Sequence, residues 1–215
     1  MGKPDAETAG PVWAEGAEAR VRRVEFLGLP AVRKSRPRKE YRPESLDLRL
    51  RTERLRTEVR LLRDARRAGI RTPVVLDLDL ENHELVLERL EGPTLTEVLG
   101  PGSRAENRRT AVRALGTSLG RLHAAGLVHG DLTGSNALLQ GETVAFLDLS
   151  LGTRDPGLEE FGIDLHLVEE DLNTLCADAE ALFAEFLSAY QAANPLRAKE
   201  VLERAREIQG RVRYA

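Results

Sequence analysis

Cysteine is all but missing from this chain of 215 residues. Cys176 stands alone, so an internal disulfide is excluded, and nothing in its neighbourhood suggests a metal site. Long apolar runs are absent too. The longest fall well below the ~20 residues that a membrane-spanning helix needs. The opening MGKPDAETAG is polar and carries no apolar core of the signal-peptide kind. A cytoplasmic protein with no membrane partner is therefore expected. Aromatic residues make up only 4% of the chain, and lysine occurs only as Lys3, Lys34, Lys39 and Lys199, arginine supplying the rest of the 32 basic residues. Against these shortages stand 41% hydrophobic and 31% charged residues, the composition of a folded, heavily charged globule. The length suffices for one domain or two small lobes.

The net charge of -3 hides a strong asymmetry. Residues 33–71 hold 15 Lys/Arg against 6 Asp/Glu, whereas residues 142–185 hold one Arg against 12 Asp/Glu. A solvated surface explains either segment. A sharper reading is a basic part that meets phosphate or nucleic acid and an acidic part that does something else. In that reading Arg36, Arg38 and Lys39, placed past the end of a strand, contact RNA phosphates, and the acidic segment around Glu159 and Glu160 is left for a protein partner.

Patterning divides the chain in two. Residues 1–11 read as a flexible tail. Residues 20–27 and 30–34 read as strands around a turn at Gly28, and a long helix is expected from Ser45 to Ala68. Leu48, Leu55, Val59, Leu62 and Ala65 mark its apolar face, and Gly69 marks its stop. Residues 74–80 and 84–90 alternate around Glu81-Asn82-His83 as a hairpin. Glu91-Gly92-Pro93 breaks the pattern. Beyond it the chain turns helical, with Val112, Leu115, Leu119 and Leu122 on one face, interrupted by short strands at 137–139 and 144–147. The expected architecture is α+β and two-lobed: a sheet-rich N-lobe with one long helix over 12–91 and a small helical C-lobe over 92–215.

The chemistry concentrates in residues 129–150. Asp131 opens a loop, Asn136 follows five residues later, and Asp148 comes at the end of a hairpin that can bring it back beside Asn136. One carboxylate faces the attacking hydroxyl or water, while an amide oxygen and a second carboxylate suit a hard Mg2+ ion on phosphates. Phosphoryl transfer needs little more than such positioning and charge neutralisation.

The run HGDLTGSN at 129–136 resembles the catalytic loop H-R-D-L-x-x-x-N of the protein-kinase superfamily, whose metal-binding Asp follows a hairpin. It is still more similar to the small atypical kinase subunit of the KEOPS complex, the PRPK family, which is related to the RIO kinases. Resemblance covers nearly the whole chain. EGAEA at 15–19 looks like that family's reduced nucleotide loop, VRKSRPRKEYRPESLD at 32–47 like its lysine segment, and residues 54–75 like its long helix and following strand. GIDL at 162–165 and GRVR at 210–213 resemble its later signatures.

The resemblance implies a role for each matching residue. Asp131 would be the catalytic carboxylate, and Asn136 and Asp148 the ligands of Mg2+, with Mn2+ as a substitute. Gly16 would cover ATP, Lys34 would hold its α/β-phosphates, and Glu58 would pair with Lys34. The Glu88 carbonyl and Leu90 amide would bind adenine as a hinge. His129 would be a packing residue, and Asp164 would tie down the catalytic-loop backbone. His83, His123 and His166 read as turn or packing residues. The family acts with a threonylcarbamoyl-transferase subunit and other KEOPS subunits in making threonylcarbamoyladenosine beside the tRNA anticodon, with ATP hydrolysis and Ser/Thr autophosphorylation attributed to it. Those are the function and partners the likeness implies here.

Three departures stand out. Asp148-Leu149-Ser150 replaces Asp-Phe-Gly, which puts in doubt any switching of that segment. Gly134 replaces the second Thr of H-G-D-L-T-T-S-N and should loosen the loop. Of the G-x-G-x-x-G loop only Gly16 remains. With 67 residues after Asp148 and no A-P-E segment, little platform for a protein substrate is expected. Two other readings compete: a catalytically weak nucleotide-binding scaffold, and a small-molecule kinase of the aminoglycoside or choline type, which would need a larger helical substrate domain after Asp148.

Overall fold

Residues 12–15 and 19–212 are described by a computed structural model. The expected tail at 1–11, Gly16 and the final three residues lie outside the described residues. The N-terminal half is an antiparallel sheet of five strands, β1 (Val12–Glu15), β2 (Arg20–Phe26), β3 (Leu29–Ser35), β4 (Val75–Asp79) and β5 (Glu84–Glu88), in the order β1-β2-β3-β5-β4. Phe26 pairs with Leu29 across a two-residue turn in which Leu27 (φ 51°) and Gly28 (φ 79°) are both left-handed. That is the turn whose twist matches a hairpin.

The long helix, α1, runs from Glu44 to Arg67 and lies between β3 and β4 in the chain. Leu55, Leu62 and Ala65 are fully buried on its inner face, and Val59 packs against them. Leu48, expected on that face, is instead exposed. In the first turns the inward position belongs to Asp47, which accepts from Arg51 Nε at 2.7 Å and from the Lys39 backbone N–H at 3.2 Å. A polar tie, not an apolar contact, seats this end of α1 on the segment that leaves β3.

The C-terminal half opens with α2 (Leu95–Leu99), started by a capping box in which Thr94 and Glu97 satisfy each other's backbone N–H. It continues with α3 (Ala105–Ala124), β6 (Leu127–Val128), a 3-10 turn at Gly134–Asn136, the hairpin β7 (Ala137–Gln140) and β8 (Thr143–Phe146), and β9 (Thr153–Arg154). Three helices follow: α4 (Leu158–Leu175), α5 (Ala179–Ala193) and α6 (Ala198–Val212). Val112, Leu115, Leu119 and Leu122 are buried along α3, as their spacing requires. One hydrophobic cluster runs from Leu55 and Leu85 in the first half to Phe146, Phe161 and Phe186 in the second. The two lobes thus share a core. The Phe146 N–H also donates to the Arg71 carbonyl at 3.0 Å across the lobes, and within the second lobe the Leu139 N–H bonds the Pro93 carbonyl at 2.9 Å. Among the described residues no helix is long and apolar enough to cross a membrane.

Candidate active site

Two cations and two carboxylates meet where the sheet faces the β8–β9 segment. Lys34, buried on β3, places its ammonium 2.6 Å from Glu58 Oε1 and 2.6 Å from Asp148 Oδ2. Glu58 comes from the inner face of α1 and is fully buried. Its other oxygen, Oε2, accepts from Arg36 at 2.9 Å, and the same guanidinium lies 3.9 Å from Asp148 Oδ1. Burial pushes the Glu58 carboxyl up, and the charges of Lys34 and Arg36 oppose it. Burial works against ionisation of Asp148 as well. There the Lys34 charge, its hydrogen bond and the bonds from Ser150 win, holding the carboxyl well below the usual range.

Arg36 lies past the end of β3, as expected, but it is not open to RNA. It is buried, and its guanidinium donates to Glu58. The signal was available. Lys34 and Arg36 are two residues apart, and in an extended chain such residues share one face; the Arg36 N–H still pairs with the His83 carbonyl just beyond the end of β3. Arg38 is exposed and lies 3.5 Å from Glu44, and Lys39 is partly buried, so these two do not form a patch with Arg36. Glu159, expected to await a protein partner, is engaged by Arg204 of α6 within the chain.

The loop at 129–136 sits opposite. Asn136 donates its side-chain amide to the Asp131 carbonyl at 2.9 Å and to Asp131 Oδ2 at 3.2 Å. With the nitrogen committed, the amide oxygen is the acceptor Asn136 has to offer. The Leu147 N–H bonds the Asn136 carbonyl at 2.9 Å, which brings the neighbouring Asp148 back to the loop. Asp164, fully buried in α4, accepts from the backbone N–H groups of His129 and Gly130 at 2.7 and 2.8 Å. Burial opposes its charge, yet bonds from His123 and the loop backbone hold its carboxyl below the usual range. His123 links Asp164 to the Tyr190 hydroxyl of α5 at 3.2 and 2.8 Å. The His129 ring packs edge-on to Phe146, and neither of its nitrogens has a hydrogen-bond partner among the described residues. Burial lowers its pKa, against the pull of the Asp164, Asp148 and Asp131 carboxylates.

Two glycines explain how the loop departs from the usual pattern. Gly130, in place of the Arg of H-R-D, has φ 79°, and a Cβ there would lie 2.2 Å from the Leu151 carbonyl oxygen. No other residue fits. Gly134 was expected to loosen the loop. It does the reverse: a Cβ would lie 2.7 Å from Thr96 Oγ1, and its N–H donates to Asp171, so the close approach ties the loop to α2 and α4. The replacement of Phe-Gly by Leu149-Ser150 is absorbed as well. Leu149 is buried in the core, and the Ser150 N–H donates to Asp148 Oδ1 at 3.0 Å.

At the edge between the lobes, the Glu88 side chain carries more structure than a hinge read through its backbone suggests. Arg71 binds both its oxygens, at 2.7 and 3.1 Å, and reaches across to Gln140 Oε1 at 3.2 Å. Leu90 is buried with Leu138 and Ala145 in a small apolar cluster of its own, with Leu147 against it. His83 sits in the β4–β5 turn at φ 55°, and its ring meets Thr52 at 3.0 Å; His166 lies 3.5 Å from Glu170.

The profile of the RIO domain matches residues 20–161. The KEOPS complex subunit Bud32 of Pyrococcus abyssi is 38% identical over 208 residues, which is 93% of this chain and 94% of that one. The chain belongs to the RIO family, on the branch of Bud32. A probable bifunctional tRNA threonylcarbamoyladenosine biosynthesis protein of Methanothermobacter thermautotrophicus is 35% identical over 204 residues. The alignment takes in 94% of this chain but 36% of that relative, so the RIO-family chain corresponds to about a third of the bifunctional protein. Among solved structures, the Rio2 kinase of Chaetomium thermophilum, in an ADP/Mg2+-phosphoaspartate complex, superposes with a TM-score of 0.62 at 16% identity, over 95% of this chain and 72% of that one. The shared fold is that of the kinase: a sheet-rich N-lobe and a helical C-lobe.

Proposed function

We propose that this chain is the Mg-ATP-dependent ATPase and atypical Ser/Thr phosphotransferase subunit of a KEOPS complex, supporting threonylcarbamoyladenosine formation on tRNA. The observation that carries this reading is the convergence of Lys34, Glu58 and Asp148 within 2.6 Å contacts, beside a loop that holds Asp131 against Asn136. The names of the relatives supply the biological setting.

The residues fit a magnesium nucleotide. Asp148, kept ionised, and the Asn136 amide oxygen are hard oxygen donors of the kind Mg2+ requires, and Mn2+ would accept the same set. Lys34 would take the α/β-phosphates, and Glu58 would hold its ammonium in place. The Leu90, Leu138, Ala145 and Leu147 cluster offers an apolar surface beside the Glu88–Leu90 backbone for the adenine ring. Gly16, from outside the described residues, would cover the phosphates. When bound, Mg-ATP supplies the phosphoryl group and the metal offsets its charge. Asp131 orients the attacking hydroxyl or water and receives its proton. Asp164 and His129 act on none of these atoms; they fix the loop that carries Asp131.

The experiment is ATP turnover by the purified chain, alone and with the threonylcarbamoyl-transferase subunit. Turnover that requires Mg2+ and rises with the transferase is the expected result, in a cytoplasmic assembly. Nucleotide binding with no turnover in either setting would leave a scaffold. Turnover that responds to an aminoglycoside or choline and not to the transferase would favour the small-molecule kinase.

Contact with tRNA passes to the outer face of α1. Arg56, Arg60 and Arg67 are exposed there at helical spacings of four and seven residues. Replacing all three with Ala should reduce the salt slope of tRNA binding by the assembled complex by up to about 3, near 0.9 per released phosphate contact. Basal ATP turnover should not change, because none of the three reaches the cleft. A salt-independent interaction, or an unchanged slope, would remove tRNA from this face.

A further inference from the structure

Lys34 is asked to serve two carboxylates and, in the reading above, a nucleotide as well. Its ammonium sits 2.6 Å from both Glu58 and Asp148. Glu58 has no access to water. A buried carboxylate that loses its only counter-ion is costly, far more so than an exposed one. Were Lys34 that only counter-ion, drawing it toward phosphate would strand Glu58. The chain avoids this with a second cation, Arg36, on the other Glu58 oxygen at 2.9 Å.

Arg36 is held from several sides. Its backbone N–H donates to the His83 carbonyl at 3.1 Å, and its own carbonyl accepts from Arg51 at 3.4 Å. Arg51 is in turn bound to buried Asp47, and His83 is fixed by its contact with Thr52. These bonds join the end of β3, the β4–β5 turn and the first turns of α1 around one guanidinium. Its Nε has no partner among the described residues and stays buried, so the group is retained for what Nη2 does.

We infer that Arg36 is a positioning residue: it is the permanent counter-ion of Glu58, keeping that carboxylate and α1 seated so that Lys34 is free to engage the nucleotide phosphates. This rests on the proposed nucleotide site, but its electrostatic half holds without any ligand. Lys34 differs from Arg36 in having a carboxylate of the cleft, Asp148, as its second partner, and it is the cation that exchanges. Arg36 touches Glu58 closely and Asp148 only at 3.9 Å, and it remains with Glu58 throughout. The Lys34–Glu58 pair is then assembled before nucleotide arrives, with no activating modification needed to bring α1 inward.

The test uses Arg36→Met, Arg36→Lys, Glu58→Gln and the double variant Arg36→Met/Glu58→Gln. Without ligand, Arg36→Met should lower the unfolding temperature by about 5 °C or more. Adding Glu58→Gln should restore part of that loss, since a neutral amide needs no counter-ion. Calorimetric titration with Mg-ADP should show Arg36→Met weakened about tenfold, Arg36→Lys within about threefold of the parent, and the double variant no weaker than Arg36→Met. In turnover, KM should rise more than kcat falls, because Asp131 and Asn136 are untouched. Loss of stability that Glu58→Gln deepens would overturn the inference, as would Mg-ADP affinities that fall multiplicatively in the double variant. A parent chain that binds no Mg-ADP would overturn the nucleotide reading, while the ligand-free cycle would still decide whether Arg36 is the counter-ion of Glu58.

Discussion

Asp148→Asn should abolish Mg2+-dependent ATP hydrolysis, lowering turnover by about 10²-fold or more, in a chain that still folds. The substitution keeps the shape of the side chain and one acceptor for the Ser150 N–H, which reaches Oδ1 at 3.0 Å in the parent. What it removes is the negative charge. Burial alone would discourage that charge; Lys34 and the Ser150 donors maintain it against burial, which suits the metal-ligand role proposed for it. Folding should survive because Lys34 retains Glu58 at 2.6 Å and Asp148 is partly open to solvent. The measurement is hydrolysis at saturating ATP across a Mg2+ titration, with thermal unfolding alongside. Calorimetry adds a readout independent of turnover: the Mg2+ dependence of ADP binding should disappear. Unchanged turnover in a folded variant would sink the assignment of Asp148 as metal ligand.

Much of this site could be read from the sequence because its parts are short-range. A lysine on a strand, a loop with fixed Asp131-to-Asn136 spacing and a hairpin returning to Asp148 are all local patterns, and the hairpin register delivers the last of these without further instruction. The sheet and α1 were legible for the same reason. What could not be read depends on where elements end and which neighbours they find. Arg36 looked like one more arginine in a basic run until the β3–β5 register and the inner face of α1 enclosed it. Leu48 looked like core because its helical phase was right, yet α1 begins where a polar tie through Asp47 replaces the apolar floor. Gly134 looked like slack. Only the approach of Thr96 and Asp171, 38 and 37 residues away along the chain in opposite directions, makes it a tight contact. Glu159 also finds a partner inside the chain, because α6 returns Arg204 to it, a pairing no local pattern announces.

Asp131→Ala should separate chemistry from binding: turnover falls by about 10²–10⁴-fold, while affinity for Mg-ATP stays within a few-fold of the parent. The separation follows from how Asn136 is held. Its side-chain amide donates both to Asp131 Oδ2 at 3.2 Å and to the Asp131 backbone carbonyl at 2.9 Å. Alanine deletes the first acceptor and keeps the second. The Thr133 N–H also bonds the Asp131 carbonyl, at 3.0 Å, so the turn retains its backbone closure. Two bonds from Asp164 to the His129 and Gly130 N–H groups hold the preceding residues, and the substitution touches neither. Asn136 therefore keeps the orientation that the proposed metal site requires, Asp148 keeps its charge, and Lys34 keeps its partners. The group lost is the one proposed to face the nucleophile. Single-turnover kinetics give the rate of the chemical step, and equilibrium titration with a non-hydrolysable Mg-nucleotide gives the affinity. If affinity collapsed together with turnover, Asp131 would have to be reassigned as a metal ligand or a support of the loop. Retained turnover in a folded Asp131→Ala chain would take the catalytic role from it altogether.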